Sequence, residues 1–159
     1  MSSLPRLLLA FFFLLAAALP ASAGDLHGTL GYGVADSHDG ESAHVIDLSL
    51  RWKANTRFSF IHQHEILAGH IESRPLPFLN RDVRYLGYGT RTYFRKHWFL
   101  GGGIVAVDNT TEALSSWYQF ATTGGVQFGR ASLTLRHLSN SGFRGRNRGE
   151  TYLTLGYNW

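Results

Sequence analysis

The sequence contains no cysteine, which excludes a disulfide framework even in an oxidising compartment. Beyond its first two dozen residues it has no apolar run long enough to cross a bilayer as a helix, so a membrane-embedded form of this chain would have to be a β-barrel. It has no Gly-x-Ser-x-Gly elbow, and the common soluble hydrolase fold gains no support. After Gly24 there is no linker, low-complexity tract or second zone of composition, and residues 24–159 therefore make one domain. After Glu112 there is a single acidic residue, Glu150.

What is present begins with an export signal. Arg6 precedes an apolar run from Leu7 to Leu19, followed by Ala21-Ser22-Ala23; this predicts a secretory signal peptide over residues 1–23, cut before Gly24. The formal charge of +4 includes Arg6, and the remaining excess is compatible with anionic partners such as phosphorylated lipid while discriminating little.

The rest of the chain repeats a segment of alternating apolar and polar residues bounded by turn residues, the weak per-segment signature of a transmembrane barrel strand. Eight such segments are expected: Leu26 to Ala35, Ala43 to Lys53, Arg57 to Ile66, Asp82 to Phe94, Trp98 to Val107, Trp117 to Phe128, Ala131 to Asn140 and Glu150 to Trp159. Short connections (Ala54 to Thr56, Arg95 to His97, Gly129-Arg130) alternate with longer polar ones (Asp36 to Ser42, Leu67 to Arg81, Asp108 to Ser116, Ser141 to Gly149). Outer-membrane barrels have this arrangement, with short turns periplasmic and long loops extracellular. The fold class is therefore all-β, an eight-stranded antiparallel up-and-down transmembrane β-barrel.

Parity assigns the faces. In the second segment Ile46, Leu48, Leu50 and Trp52 share one face and Asp47, Ser49, Arg51 and Lys53 the other; the first set suits lipid and the second a small lumen. A water-soluble sandwich of similar strand spacing would have to bury an apolar face, and the arginines, lysine and aspartate of the polar faces do not suit a packed core. Gly101-Gly102-Gly103 interrupts the alternation and is expected to mark a bend or bulge.

The stretch that carries chemistry is "RHLSNSGFRGRNRGE", Arg136 to Glu150. Leu133, Leu135, His137 and Ser139 share a face, and the leucines make it the outward one. His137 and Ser139 thus continue a lipid-facing stripe near the outer rim. Unpartnered polar groups against lipid cost on the order of a few kcal/mol, which a catalytic role on a lipid would offset. Residues two apart on one face have Cα atoms roughly 7 Å apart, close enough for an imidazole to lean toward a hydroxyl and take its proton. Glu150 is the carboxylate that the last hairpin delivers toward His137, completing a Ser-His-Glu triad. Strict alternation, however, turns Glu150 inward, and a bulge near Gly149 would be needed to bring it out. Asn140 and the backbone N–H groups near Ser141-Gly142 are candidates to stabilise an oxyanion.

This hairpin resembles that of the lipid A 3-O-deacylases of the PagL type, in which a His-x-Ser-Asn stretch and a glutamate at the start of the final strand form a triad on the outer wall. The resemblance implies Ser139 as nucleophile, His137 as general base, Glu150 as its orienting partner, and the Asn140 side chain with the Gly142 amide as oxyanion donors. Here the interval to the glutamate is one residue shorter than in the family pattern. The implied reaction is hydrolysis of the ester-linked 3-hydroxyacyl chain at position 3 of lipid A, without metal or other cofactor, in the outer membrane of a Gram-negative bacterium.

Arg144, Arg146 and Arg148 could pair with lipid A phosphates. His62 and His64 share a face, with His70 beyond, but spacing places no third metal ligand. The expected partners are lipopolysaccharide and the outer membrane, with no nucleic acid; a homodimer remains open. Two rivals predict other outcomes, a non-enzymatic small barrel for adhesion or envelope integrity and a barrel acyltransferase or phospholipase.

Overall fold

In the computed structural model the chain is described at residues 26–35, 42–55, 57–58, 60–74, 80–142 and 148–159. The expected signal peptide lies outside the described residues. Eight strands run in order: β1 (His27–Ala35), β2 (His44–Lys53), β3 (Gln63–Ile71), β4 (Val83–Phe94), β5 (Trp98–Val107), β6 (Tyr118–Phe128), β7 (Ala131–Ser139) and β8 (Glu150–Asn158). Each pairs antiparallel with its sequence neighbours, and β8 returns to β1 to close the barrel. Closure satisfies every strand's backbone ladder internally, the requirement for crossing hydrocarbon.

Two expectations are corrected. The third strand is Gln63–Ile71 rather than Arg57 to Ile66, so the turn before it is longer and the loop after it shorter than expected. Phe58 and Phe60, which imitate strand alternation, instead sit exposed in that connection with their rings 5.6 Å apart. The glycine run Gly101-Gly102-Gly103 is not a bulge, since β5 keeps an unbroken register with β4 from Phe94↔Trp98 to Tyr85↔Val107. A Cβ at Gly103 would meet the Tyr88 carbonyl oxygen at 2.5 Å, and close approach of β4 explains the missing side chain there.

Parity holds along the wall. Leu30, Ile46, Ile104, Leu135 and Leu155 point outward and are exposed, forming the apolar band expected of a lipid-facing wall. The lumen divides into two zones. Its inner part is polar: Arg136 pairs with Asp47, Arg91 pairs with Glu65, and Arg51 donates to Tyr93, Gln127, Thr29 and Asn158. The Arg136–Asp47 pair is also held by neighbouring hydroxyls, with Arg136 donating to Thr123 Oγ1 at 2.9 Å and Tyr85 donating to Asp47, which offsets the cost of burying charge. The outer part holds an apolar cluster, with Val45, Ile71, Val83, Val107 and Leu138 packed with Ala113 and Leu114, beside the buried Arg74–Glu150 pair. Those last two belong to the loop 108–117, whose turn is closed by Thr111 N–H to the Leu114 carbonyl and Leu114 N–H to Thr111 Oγ1. A plug of this kind gives the hairpin above it a rigid floor.

Candidate functional site on the last hairpin

Strands β7 and β8 register as Leu135↔Leu153, Arg136↔Tyr152, His137↔Thr151 and Leu138↔Glu150. On the other side β7 meets β6 as Thr122↔His137 and Phe120↔Ser139. His137 therefore lies between two threonines on the outer wall, with Ser139 one row closer to the rim. One step beyond the last registered pair, Gly149 stands beside Ser139. A Cβ at Gly149 would come within 2.4 Å of His137 Cε1 and 2.7 Å of its Nε2, so the imidazole leans up toward the serine's row into space that only glycine leaves. Gly149 also has φ of +72°, and its N–H donates to the Ala113 carbonyl at 3.0 Å, which pins it to the plug.

The other edge of the imidazole is held as well. Nδ1 lies 2.8 Å from Thr151 Oγ1, leaving Nε2 as the nitrogen facing the serine's row. Ser139, half-buried, accepts a hydrogen bond at 3.1 Å from the backbone N–H of Ser141. Ser141 and Gly142 both adopt positive φ (56° and 77°), turning the chain sharply off the strand so that this N–H points back at Oγ.

The expected site residues are thus only partly brought together. His137 and Ser139 share the outward face, as parity predicts. Glu150 does not join them: its side chain faces the interior and forms a buried ion pair with Arg74 of the loop 72–82. No bulge intervenes, because the register of β8 is regular from its first residue. Asn140 is fully buried; its Nδ2 donates to Ser115 Oγ at 3.0 Å and Ser116 Oγ at 3.3 Å, and its Oδ1 accepts from the Gly142 N–H at 2.9 Å. The two expected oxyanion donors therefore bind each other and the plug, and the Ser141 N–H is the backbone donor on Ser139. Arg144 and Arg146 lie outside the described residues, whereas Arg148 is exposed just before β8.

Sequence reasoning missed Thr151, Gly149, Arg74 and the two plug serines. Thr151 was within reach of it, since the parity that turns Glu150 inward turns the next residue outward. Nothing in the sequence pointed to Ser115 and Ser116. The histidines weighed as metal ligands have protein partners instead: His62 Nδ1 accepts from the Tyr93 N–H at 2.9 Å, His64 bonds Tyr88, and His70 lies 3.8 Å from Asp82. Among the described residues no cluster of three metal-binding side chains occurs. In the loop 72–82, Asp82 accepts a hydrogen bond from Ser73 N–H at 2.8 Å, and this bond with the Ser73 side chain holds the exposed carboxyl below its ordinary value.

A closed eight-stranded antiparallel barrel with an apolar outer band defines an outer-membrane β-barrel. Residues 43–159 match the model of the family described as lipid A 3-O-deacylase (PagL), and the chain belongs to that family of carboxylic ester hydrolases. The solved "Crystal structure of the outer membrane enzyme PagL" is similar in fold, with a TM-score of 0.54 and 17% identity over 83% of this chain and 97% of that one. No curated protein matches the chain.

Proposed function

We propose that the protein hydrolyses the ester at position 3 of lipid A, releasing the 3-hydroxyacyl chain, with Ser139 as nucleophile and His137 as base. The observation that carries this reading is the outward imidazole seated in the gap at Gly149 beside Ser139, in a chain of the lipid A 3-O-deacylase family. Lipopolysaccharide occupies the outer leaflet, and a pair on the outer wall near the extracellular rim meets its acyl esters without extracting the lipid. Leu133, Leu135, Leu153 and Leu155 lie below the pair on the same two strands and offer an apolar wall along which acyl chains can lie.

In the first step Ser139 Oγ attacks the ester carbonyl as His137 Nε2 takes the hydroxyl proton. The tetrahedral oxyanion is met by the Ser141 N–H, already aimed at Oγ, and collapses as the proton passes to the departing lipid A oxygen. Water, deprotonated by the same nitrogen, then attacks the acyl-enzyme and frees the 3-hydroxy acid and Ser139. No metal is needed at any step. Arg148, exposed at the head of β8, is suited to a lipid A phosphate.

Purified protein incubated separately with labelled lipopolysaccharide and phospholipid tests the reading. Release of free 3-hydroxy acid from lipopolysaccharide is expected. Release from phospholipid alone, transfer to a second lipid, or no turnover at all would overturn it in favour of a phospholipase, an acyltransferase or a non-enzymatic barrel.

A further inference from the structure

We propose that the mouth of the barrel at the rim away from Ser139, the periplasmic end, binds a small phosphoryl dianion, either inorganic phosphate or a phosphate monoester. The inference is independent of the esterase reading and concerns a different surface. It starts from the charges inside the wall. Among the described residues the buried ions pair off as Arg74–Glu150, Arg91–Glu65 and Arg136–Asp47, and Arg51 is left over, 1% exposed and without a carboxylate of its own. Its guanidinium donates to the neutral oxygens of Tyr93 at 3.0 Å, Gln127 at 3.2 Å, Thr29 at 2.6 Å and Asn158 at 3.3 Å. These oxygens solvate the cation without cancelling its charge. Glu65, whose charge bears on Arg51, is engaged by Arg91.

That unmatched charge lies behind a cavity. His27, Lys53, Gln63 and Tyr93 share the inward parity of Thr29, Arg51, Glu65 and Arg91 and follow them toward the rim, and with His62 they line a space of about 300 Å³. Tyr93 joins the two levels, since it lines the cavity and its hydroxyl receives the Arg51 hydrogen bond. Lys53, exposed at the mouth, forms no ion pair among the described residues. His62 is fixed by the main chain: its N–H donates to the Arg91 carbonyl at 3.1 Å, and its carbonyl accepts from the Ala54 N–H at 3.0 Å. Its Nδ1 accepts from the Tyr93 N–H at 2.9 Å, so the ring carries its proton on Nε2 and offers a donor at that edge. Lys53 and Arg51 together leave two positive charges unmatched, one at the mouth and one behind its wall. A phosphate monoester carries close to two negative charges at neutral pH, with oxygens that accept from an ammonium and an imidazole at once. A carboxylate balances only one of the two, and the low-dielectric wall of the lumen focuses the field of the other on the same space.

Calorimetric titration of the folded barrel, in a sugar detergent free of phosphate and at matched ionic strength, tests this with inorganic phosphate, glycerol 3-phosphate and acetate. Saturable binding of both phosphates is expected, with acetate weaker by about tenfold or more. Tighter binding of glycerol 3-phosphate identifies a monoester as the occupant, and tighter binding of inorganic phosphate the free ion. Lys53→Gln, which loses a charged donor at an exposed position and leaves the interior intact, should weaken phosphate by about tenfold. Arg51→Gln, where it still shows the heat-modified mobility of a folded barrel, should weaken it as well. Nitrogen NMR of labelled histidine locates the event: the ring signals of His62 should move on addition of phosphate while those of His137 stay in place. Absence of saturable binding, acetate as tight as phosphate, a folded Lys53→Gln barrel with the parent's affinity, or a His62 signal that does not move overturns the inference.

Discussion

The two faces of the β7–β8 hairpin hold different kinds of polar group. Inward, Arg136 and Glu150 are buried and paired with Asp47 and Arg74; outward, His137, Ser139 and Thr151 are polar, and none is fully buried. The inner set joins distant parts of the chain, since Asp47 lies on β2 and Arg74 in the loop 72–82, and its loss should be felt as instability. The outer set is local, bound across two adjacent strands, and its loss should be felt as a rate. A single residue of register separates the two: Glu150 and Thr151 are neighbours in sequence and point to opposite faces.

The sharpest way to test this division is to alter the outer face. His137→Gln should reduce turnover by at least about a thousandfold while the barrel still assembles, which heat-modified gel mobility checks alongside ester hydrolysis. Gly149→Ala places a methyl where the imidazole sits and forces a residue with a side chain to a positive φ; roughly a hundredfold loss in kcat is expected, with outer-membrane insertion retained. On the inner face Glu150→Gln should lower unfolding free energy by about 3 kcal/mol, because it leaves the buried Arg74 charge uncompensated; denaturant titration in detergent measures this.

The smallest effect is one of pH. Asp82 sits at the base of the loop 72–82 with its carboxyl held below the ordinary value of 3.8, chiefly by the Ser73 N–H. A depressed value means that the carboxylate supports the loop above the unfolded value and that this support is lost as pH falls through the folded one. Limited proteolysis within residues 72–82 should therefore accelerate on acidification below about pH 4, and Asp82→Ala should remove that dependence.

The barrel is legible in the sequence wherever its two faces differ in chemistry. On β2 Ile46, Leu48 and Leu50 alternate with Asp47, Ser49 and Arg51, and the strand is found where the pattern puts it. On β3 each face mixes types, Glu65 with Leu67 inward and His64 with Ile66 outward, so the period of two disappears and the Phe58–Phe60 pair nearby imitates it instead. The site divides along the same line. The outward placement of His137 and Ser139 follows from two leucines below them, and the inward placement of Glu150 follows from the parity of β8. Which interior charges meet was not readable, because the Asp47–Arg136 pair spans from β2 to β7 and depends on how the strands stagger around the closed wall.

All of this depends on a nucleophile that works from the outside of the cylinder on the leaflet around it. Mass spectrometry of lipid A from cells producing either the parent protein or Ser139→Ala, both recovered as folded barrels from the outer membrane, asks that directly. Lipid A short of one 3-hydroxyacyl chain in the first and fully acylated in the second is the predicted result. Identical acylation in the two would contradict the account.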